Sequence, residues 1–148
     1  MARYIATLHS ALPPAEAFAY LADVERFAEW DPSIVRSTRV EGSAPGPDSA
    51  YDIEVKNGPR TVTLRYRTIA WDPPRRLVLR AESRLLCSLD EIRVEPRDDG
   101  SRVTYDATLT LKGVARLLDP ALGILFRRIG DRAIPGLRRA LHAEVVGS

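Results

Sequence analysis

Cysteine is nearly missing from these 148 residues: Cys87 stands alone, so no disulfide can form within the chain and no cysteine-based zinc centre can be built. Histidine is almost as scarce. His9 and His142 lie near opposite ends of the sequence, with no clustered acids beside them to complete a metal shell. Both read as ordinary histidines, and the expectation is no metal site and no cofactor. No run of about 18 apolar residues occurs, so no segment reads as a transmembrane helix. The first residues, Met1-Ala2-Arg3-Tyr4-Ile5, pass directly into strand-like alternation without a long apolar segment. That argues against a secretory signal and makes a cytoplasmic location the expectation. An excess of one charge is lacking too: 22 Lys and Arg face 20 Asp and Glu, for a net charge of +2. Neither that balance nor any interleaving of basic and aromatic residues points to nucleic acid. Nucleophile elbow, phosphate loop and dinucleotide fingerprint are all absent.

What is present is ordinary globular material, 45% hydrophobic and 28% charged, at the usual length of one domain spanning 1–148. Tyr4, Ala6 and Leu8 alternate with Arg3, Thr7 and His9 as a strand with one covered face. Pro13-Pro14 starts a helix carrying Ala17, Phe18 and Leu21, and Asp23 is placed to cap a second short helix through Phe27 and Trp30. Asp31-Pro32 stops it, because a residue before proline avoids the helical region. Six strand-like runs follow, broken by turn sequences such as Asn57-Gly58, Asp72-Pro73-Pro74 and Asp98-Asp99-Gly100. Short strands joined by tight turns predict an antiparallel meander of seven strands in an α+β fold. After Gly113, a long amphipathic helix is predicted from Asp119-Pro120 to about Val145. Its apolar stripe is Leu122, Leu125, Phe126, Ile129, Ala133, Leu137 and Ala140. Pro135 should kink it, and Gly130 and Gly136 flank that point. The small residues leave either room for a ligand or close packing of helix on sheet.

Strand parity singles out candidate residues. Tyr51, Leu64, Tyr66, Leu79, Tyr105 and Ala107 lie on the apolar faces of their strands, and a buried tyrosine brings a polar tip that wants a partner. The sixth strand is ambiguous. Ile92 and Val94 turn Ser88 and Asp90 inward, whereas Cys87 and Leu89 favour the other face, which a bulge near Leu89 would reconcile. Asp90 is then a carboxylate in apolar surroundings, the one weak candidate for an acid–base catalyst. Its alternative is an edge position with a water or arginine partner. Arg65, Arg67, Arg80 and Arg93 fall on outward parity and are expected to pair with Glu54, Glu82, Glu91 and Glu95. The arginine face of the last helix reads as solvated, with membrane contact at most transient.

The order of these pieces resembles a known family. Ala11-Leu12-Pro13-Pro14-Ala15-Glu16-Ala17-Phe18 looks like its strand-to-helix passage, and Leu21-Ala22-Asp23-Val24-Glu25-Arg26-Phe27 through Trp30-Asp31-Pro32 like its second helix. Leu77-Val78-Leu79 after Pro73-Pro74, Asp99-Gly100-Ser101-Arg102-Val103-Thr104-Tyr105, and Gly113 followed by Asp119-Pro120 resemble its later hairpins and the start of its closing helix. The chain is identified as a member of the START-like (SRPBCC) superfamily, in the polyketide cyclase/dehydrase and lipid transport branch. The resemblance implies a helix-grip fold, a curved sheet wrapped around the C-terminal helix with an apolar cavity between them. It implies binding or transport of an apolar small molecule (lipid, polyketide or similar) and carries over no catalytic residue set. Trp30, Tyr51, Leu64, Tyr66, Leu79, Ser88, Asp90, Tyr105, Ala107, Leu125, Ile129 and Ala133 are the residues expected to meet the ligand. A polyketide cyclase or aromatase is the alternative function, and a protein-interaction module with a collapsed cavity the second. A monomer or homodimer is expected.

Overall fold

Alternation of apolar and polar side chains dictates a sheet covered on one face, and the computed structural model, which describes residues 1–147, builds that sheet from eight strands. In chain order they are β1 (Ala2–Ser10), β2 (Ile34–Glu41), β3 (Ala50–Asn57), β4 (Arg60–Asp72), β5 (Arg76–Glu82), β6 (Leu86–Arg97), β7 (Gly100–Leu111) and β8 (Ala143–Gly147). The spatial order is β2-β3-β4-β5-β6-β7-β1-β8, and every neighbouring pair is antiparallel. Helix α1 (Pro14–Ala22), a 3-10 turn (Val24–Arg26) and α2 (Phe27–Trp30) join β1 to β2. A second 3-10 segment (Gly113–Leu118) leads into the long α3 (Asp119–Leu141), which packs on β1 and against α2.

The eighth strand corrects the sequence reading, which carried the last helix to about Val145. Helix α3 stops at Leu141 because His142 takes the left-handed conformation, φ 48°, and donates its N–H to the carbonyls of Arg138 and Arg139. The chain then turns back, and the β-branched Val145 pairs opposite Leu8 of β1. Pro135 sits inside α3, which is assigned as one continuous helix around it. No bulge forms at Leu89: the register runs unbroken from Arg76↔Arg93 to Glu82↔Cys87 on one side of β6 and from Leu86↔Leu111 to Arg97↔Gly100 on the other. Leu89 simply faces outward, 37% exposed, opposite Arg80 and Thr108. The cap predicted at Asp23 does not form with its side chain. Asp23 pairs with Arg26 at 3.3 Å instead, and Asp119 accepts from the N-terminal ammonium of Met1 at 2.8 Å.

Close approach is what the two helix glycines provide, and Gly130 lines the ligand cavity as well. A Cβ on Gly136 would lie 2.3 Å from the carbonyl oxygen of Trp30, and one on Gly130 would lie 2.5 Å from the ring of Tyr4. The glycines let α3 touch the backbone of α2 and the Tyr4 ring of β1, despite the cost of about 1 kcal/mol each to an isolated helix. The core under this contact includes Leu8, Leu21, Phe27, Leu77, Ile92 and Leu137, all at most 2% exposed. Each contributes about 1.5–3 kcal/mol by leaving water.

Outward positions carry ion pairs, with some partners different from those expected. Arg80 pairs with Glu82 and Arg93 with Glu91, as their parity predicts. Arg65 reaches Asp52 at 2.8 Å and Arg67 reaches Glu41, while Glu54 goes to Arg36. Cross-strand register decides this: Arg65 lies directly opposite Asp52.

Candidate ligand cavity

Where α3 diverges from the sheet, a cavity of about 300 Å³ opens between them. Inward residues of β4, β6 and β7 form one wall, α2 and the start of β2 a second, and Phe126, Ile129 and Ala133 of α3 a third. The exposed members of the lining, Lys56, Asn57 and Val62 at the β3–β4 hairpin, mark its mouth. The lining is overwhelmingly apolar, and the collapsed cavity considered from sequence does not describe this molecule.

Small residues in the sheet let the polar side chains meet. Tyr66 pairs with Ala81, and Ala81 with Ser88 on its other side. With only a methyl group between them, the Tyr66 hydroxyl and Ser88 Oγ close to 2.8 Å. In the same way Asp90 lies opposite Ala107, two residues from Tyr105. That diagonal spacing suits a long side chain reaching a short one, and Tyr105 donates its hydroxyl hydrogen to Asp90 Oδ2 at 2.5 Å. Trp30 seals this corner, stacked edge-on against Tyr105 with ring centroids 5.6 Å apart and tilted against Phe27 at 5.0 Å.

Asp90 is not at an edge and has no arginine partner among the described residues; β6 lies in the interior of the sheet. Burial in this apolar setting pushes its carboxyl up to about 6, against the opposing pull of the Tyr105 hydrogen bond, with the charges of Asp31 and Asp106 adding to the rise. Burial and the neighbouring Asp90 charge raise the Tyr66 and Tyr105 phenols above their ordinary value, so both stay protonated donors at neutral pH. Asp31 closes α2 and faces the same cavity. Its Oδ1 accepts from the Ser33 amide at 2.9 Å and from the Ser33 hydroxyl at 2.7 Å, but burial still raises its carboxyl.

Of the residues singled out by sequence, Trp30, Leu64, Tyr66, Ser88, Asp90, Tyr105, Ala107, Ile129 and Ala133 line the cavity. Three do not. Tyr51 and Leu79, 1% and 0% exposed, sit in the close-packed core. Strand parity fixes the face of a side chain but not its position along the strand. Leu125 is 53% exposed, because the first turns of α3 stand clear of the sheet together with Val114, Leu117 and Leu118. Asp31 was missed: its place before Pro32 reads fully as a helix stop, and the one hint was a charge flanking the apolar Phe27 and Trp30.

The sequence matches the family described as polyketide cyclase / dehydrase and lipid transport over residues 1–142, and the chain belongs to that family. No curated protein matches it. Among solved structures it is similar to the Zhui aromatase/cyclase from Streptomyces sp. R1128, with TM-score 0.77 at 14% identity over 95% of this chain and 92% of that one. A START superfamily protein from Mycobacterium smegmatis gives TM-score 0.74 at 11% identity over 95% and 97%. The di-domain aromatase/cyclase StfQ of the steffimycin biosynthetic pathway gives 0.71 at 18% identity over 95% of this chain, which spans 50% of StfQ. At these identities the similarity establishes the helix-grip fold.

Proposed function

We propose that this member of the polyketide cyclase/dehydrase and lipid transport family binds an apolar small molecule in the cavity between sheet and α3. One observation carries the reading: about 300 Å³ of largely apolar space converges on a few fixed polar atoms at Tyr66, Ser88, Asp90 and Tyr105. That is the usual composition of a small-molecule site, in which apolar walls supply affinity and a few polar groups fix orientation. Leu64, Ala107, Ile129 and Ala133 supply walls, and the phenol of Tyr66 supplies a donor for a carbonyl or hydroxyl oxygen. Native mass spectrometry of freshly purified protein, followed by denaturation and analysis of what is released, tests this. A stoichiometric apolar adduct supports the reading. If the protein is apo and also takes up no apolar probe, the reading fails.

A second reading, aldol closure and dehydration of a polyketide-like chain, is favoured by Asp90 in particular. A carboxyl near 6 is partly ionised around neutrality and can take a proton from carbon and return one to a departing hydroxyl. Tyr66, kept protonated, would donate to the carbonyl oxygen as its charge develops. The names of two structural relatives, aromatase/cyclases both, agree with this chemistry. If Asp90→Asn leaves turnover of a proven substrate unchanged, this second reading is wrong.

A further inference from the structure

The cavity has an electrostatic character that the function proposed above does not require. Of 22 Lys and Arg, only Lys56 contributes to its lining, and that side chain is exposed at the mouth. Two carboxylates, Asp31 and Asp90, face the interior from different walls, one at the end of α2 and one on β6. Among the described residues no cationic side chain pairs with either. Each also keeps one oxygen without a protein donor. Asp90 accepts from Tyr105 on Oδ2, leaving Oδ1, and Asp31 accepts from Ser33 on Oδ1 alone, leaving Oδ2. Around them stand the rings of Phe27, Trp30, Tyr66 and Tyr105, whose faces are electron-rich.

We infer that the cavity selects an apolar ligand whose polar end is a protonated amine. An ammonium carries three donors and no acceptor. It would donate to an unpartnered carboxylate oxygen of Asp31 or Asp90, and its charge would replace the cation this site lacks. In a low-dielectric interior the same arrangement repels an anion, so a fatty-acid carboxylate or phosphate monoester is the wrong polar end for this pocket. A neutral alcohol lies between: it can donate once and gains no charge attraction.

The inference rests on the cavity binding an apolar molecule at all, and a matched series separates the two claims. Octylamine, 1-octanol and octanoate share one chain and differ at the head. Titrated calorimetrically into the whole protein at pH 7.5, octylamine is expected to bind about tenfold more tightly than 1-octanol, as charge-assisted hydrogen bonds are about twice as strong as neutral ones. Octanoate is expected to be the weakest of the three. Asp90→Asn should cut the preference for octylamine over 1-octanol to within about threefold, and Asp31→Asn provides the same test if the first variant misfolds. If octanoate or 1-octanol binds as well as octylamine, the cavity reading stands and the amine inference is overturned. If none of the three binds, both fall.

Discussion

Tyr105 holds the carboxylate of Asp90 at 2.5 Å across one Ala107-sized gap in the sheet. The donor stabilises the ionised form, while burial around the pair disfavours it more strongly, so Asp90 ends near 6. The balance is measurable. Carbon-detected NMR of the Asp90 carboxyl should show a midpoint near 6, far above an ordinary aspartate. Tyr105→Phe removes the opposing hydrogen bond and should move that midpoint further up. A midpoint near 4 in the wild-type protein would mean the site is open to water.

The same shift sets a sign for stability. Asp90 holds its proton more tightly folded than unfolded, so its contribution is fully present below 3.8 and is lost as pH rises through about 6. Asp90→Asn keeps an acceptor for Tyr105 but cannot ionise. It should therefore match the wild type in acid and be more stable by about 1–3 kcal/mol above neutrality. Urea denaturation at pH 3.5 and pH 8 compares the two; a variant less stable at pH 8 contradicts the account. Carboxylates whose ionisation costs stability are expected where function requires them.

The contact between α3 and α2 should be intolerant of a single methyl group at Gly136. The clash there is with the backbone of Trp30, which cannot swing aside, so Gly136→Ala should destabilise by about 2–4 kcal/mol. At Gly130 the obstacle is the Tyr4 side chain, hydrogen-bonded to Asp131 at 2.9 Å but able to rotate. Gly130→Ala should cost less, and thermal denaturation of both variants ranks them.

Two leucines assigned to one helical stripe should behave as opposites. Leu137 is 1% exposed and Leu125 is 53% exposed. Leu137→Ala should cost about 2–5 kcal/mol, and Leu125→Ala less than about 0.5 kcal/mol. Equal losses would place the first turns of α3 on the sheet.

The meander and its hairpins were legible because period-2 alternation and turn residues encode them locally. Tyr66 and Tyr105 follow from parity, whereas Ser88 and Asp90 were placed inward by Ile92 and Val94 against the opposite signal of Cys87 and Leu89, and the unbroken register of β6 decides for the inward face. The resemblance to a family supplied the wrap of sheet around helix. Other features were not local. Val145 looks helical when read on from α3, because its partner Leu8 lies at the other end of the chain. Leu79 and Tyr51 share a face with the cavity residues, yet only three-dimensional packing shows that they lie in the filled part of the core. Asp31 was hidden behind its own proline. Gly136 offered two physical meanings, and the position of the Trp30 carbonyl chooses between them.

The central claim is that a small apolar molecule occupies the space beside Ala133, a buried α3 residue on the cavity wall. Ala133→Trp would fill that space. The direct measurement is a fluorescence titration of Nile red, an apolar dye, into wild-type protein and Ala133→Trp, with circular dichroism to establish that both fold. The account predicts saturable one-to-one binding by the wild type and its loss, by at least about tenfold, in the folded variant. Undiminished affinity in a folded Ala133→Trp would place binding elsewhere and contradict it.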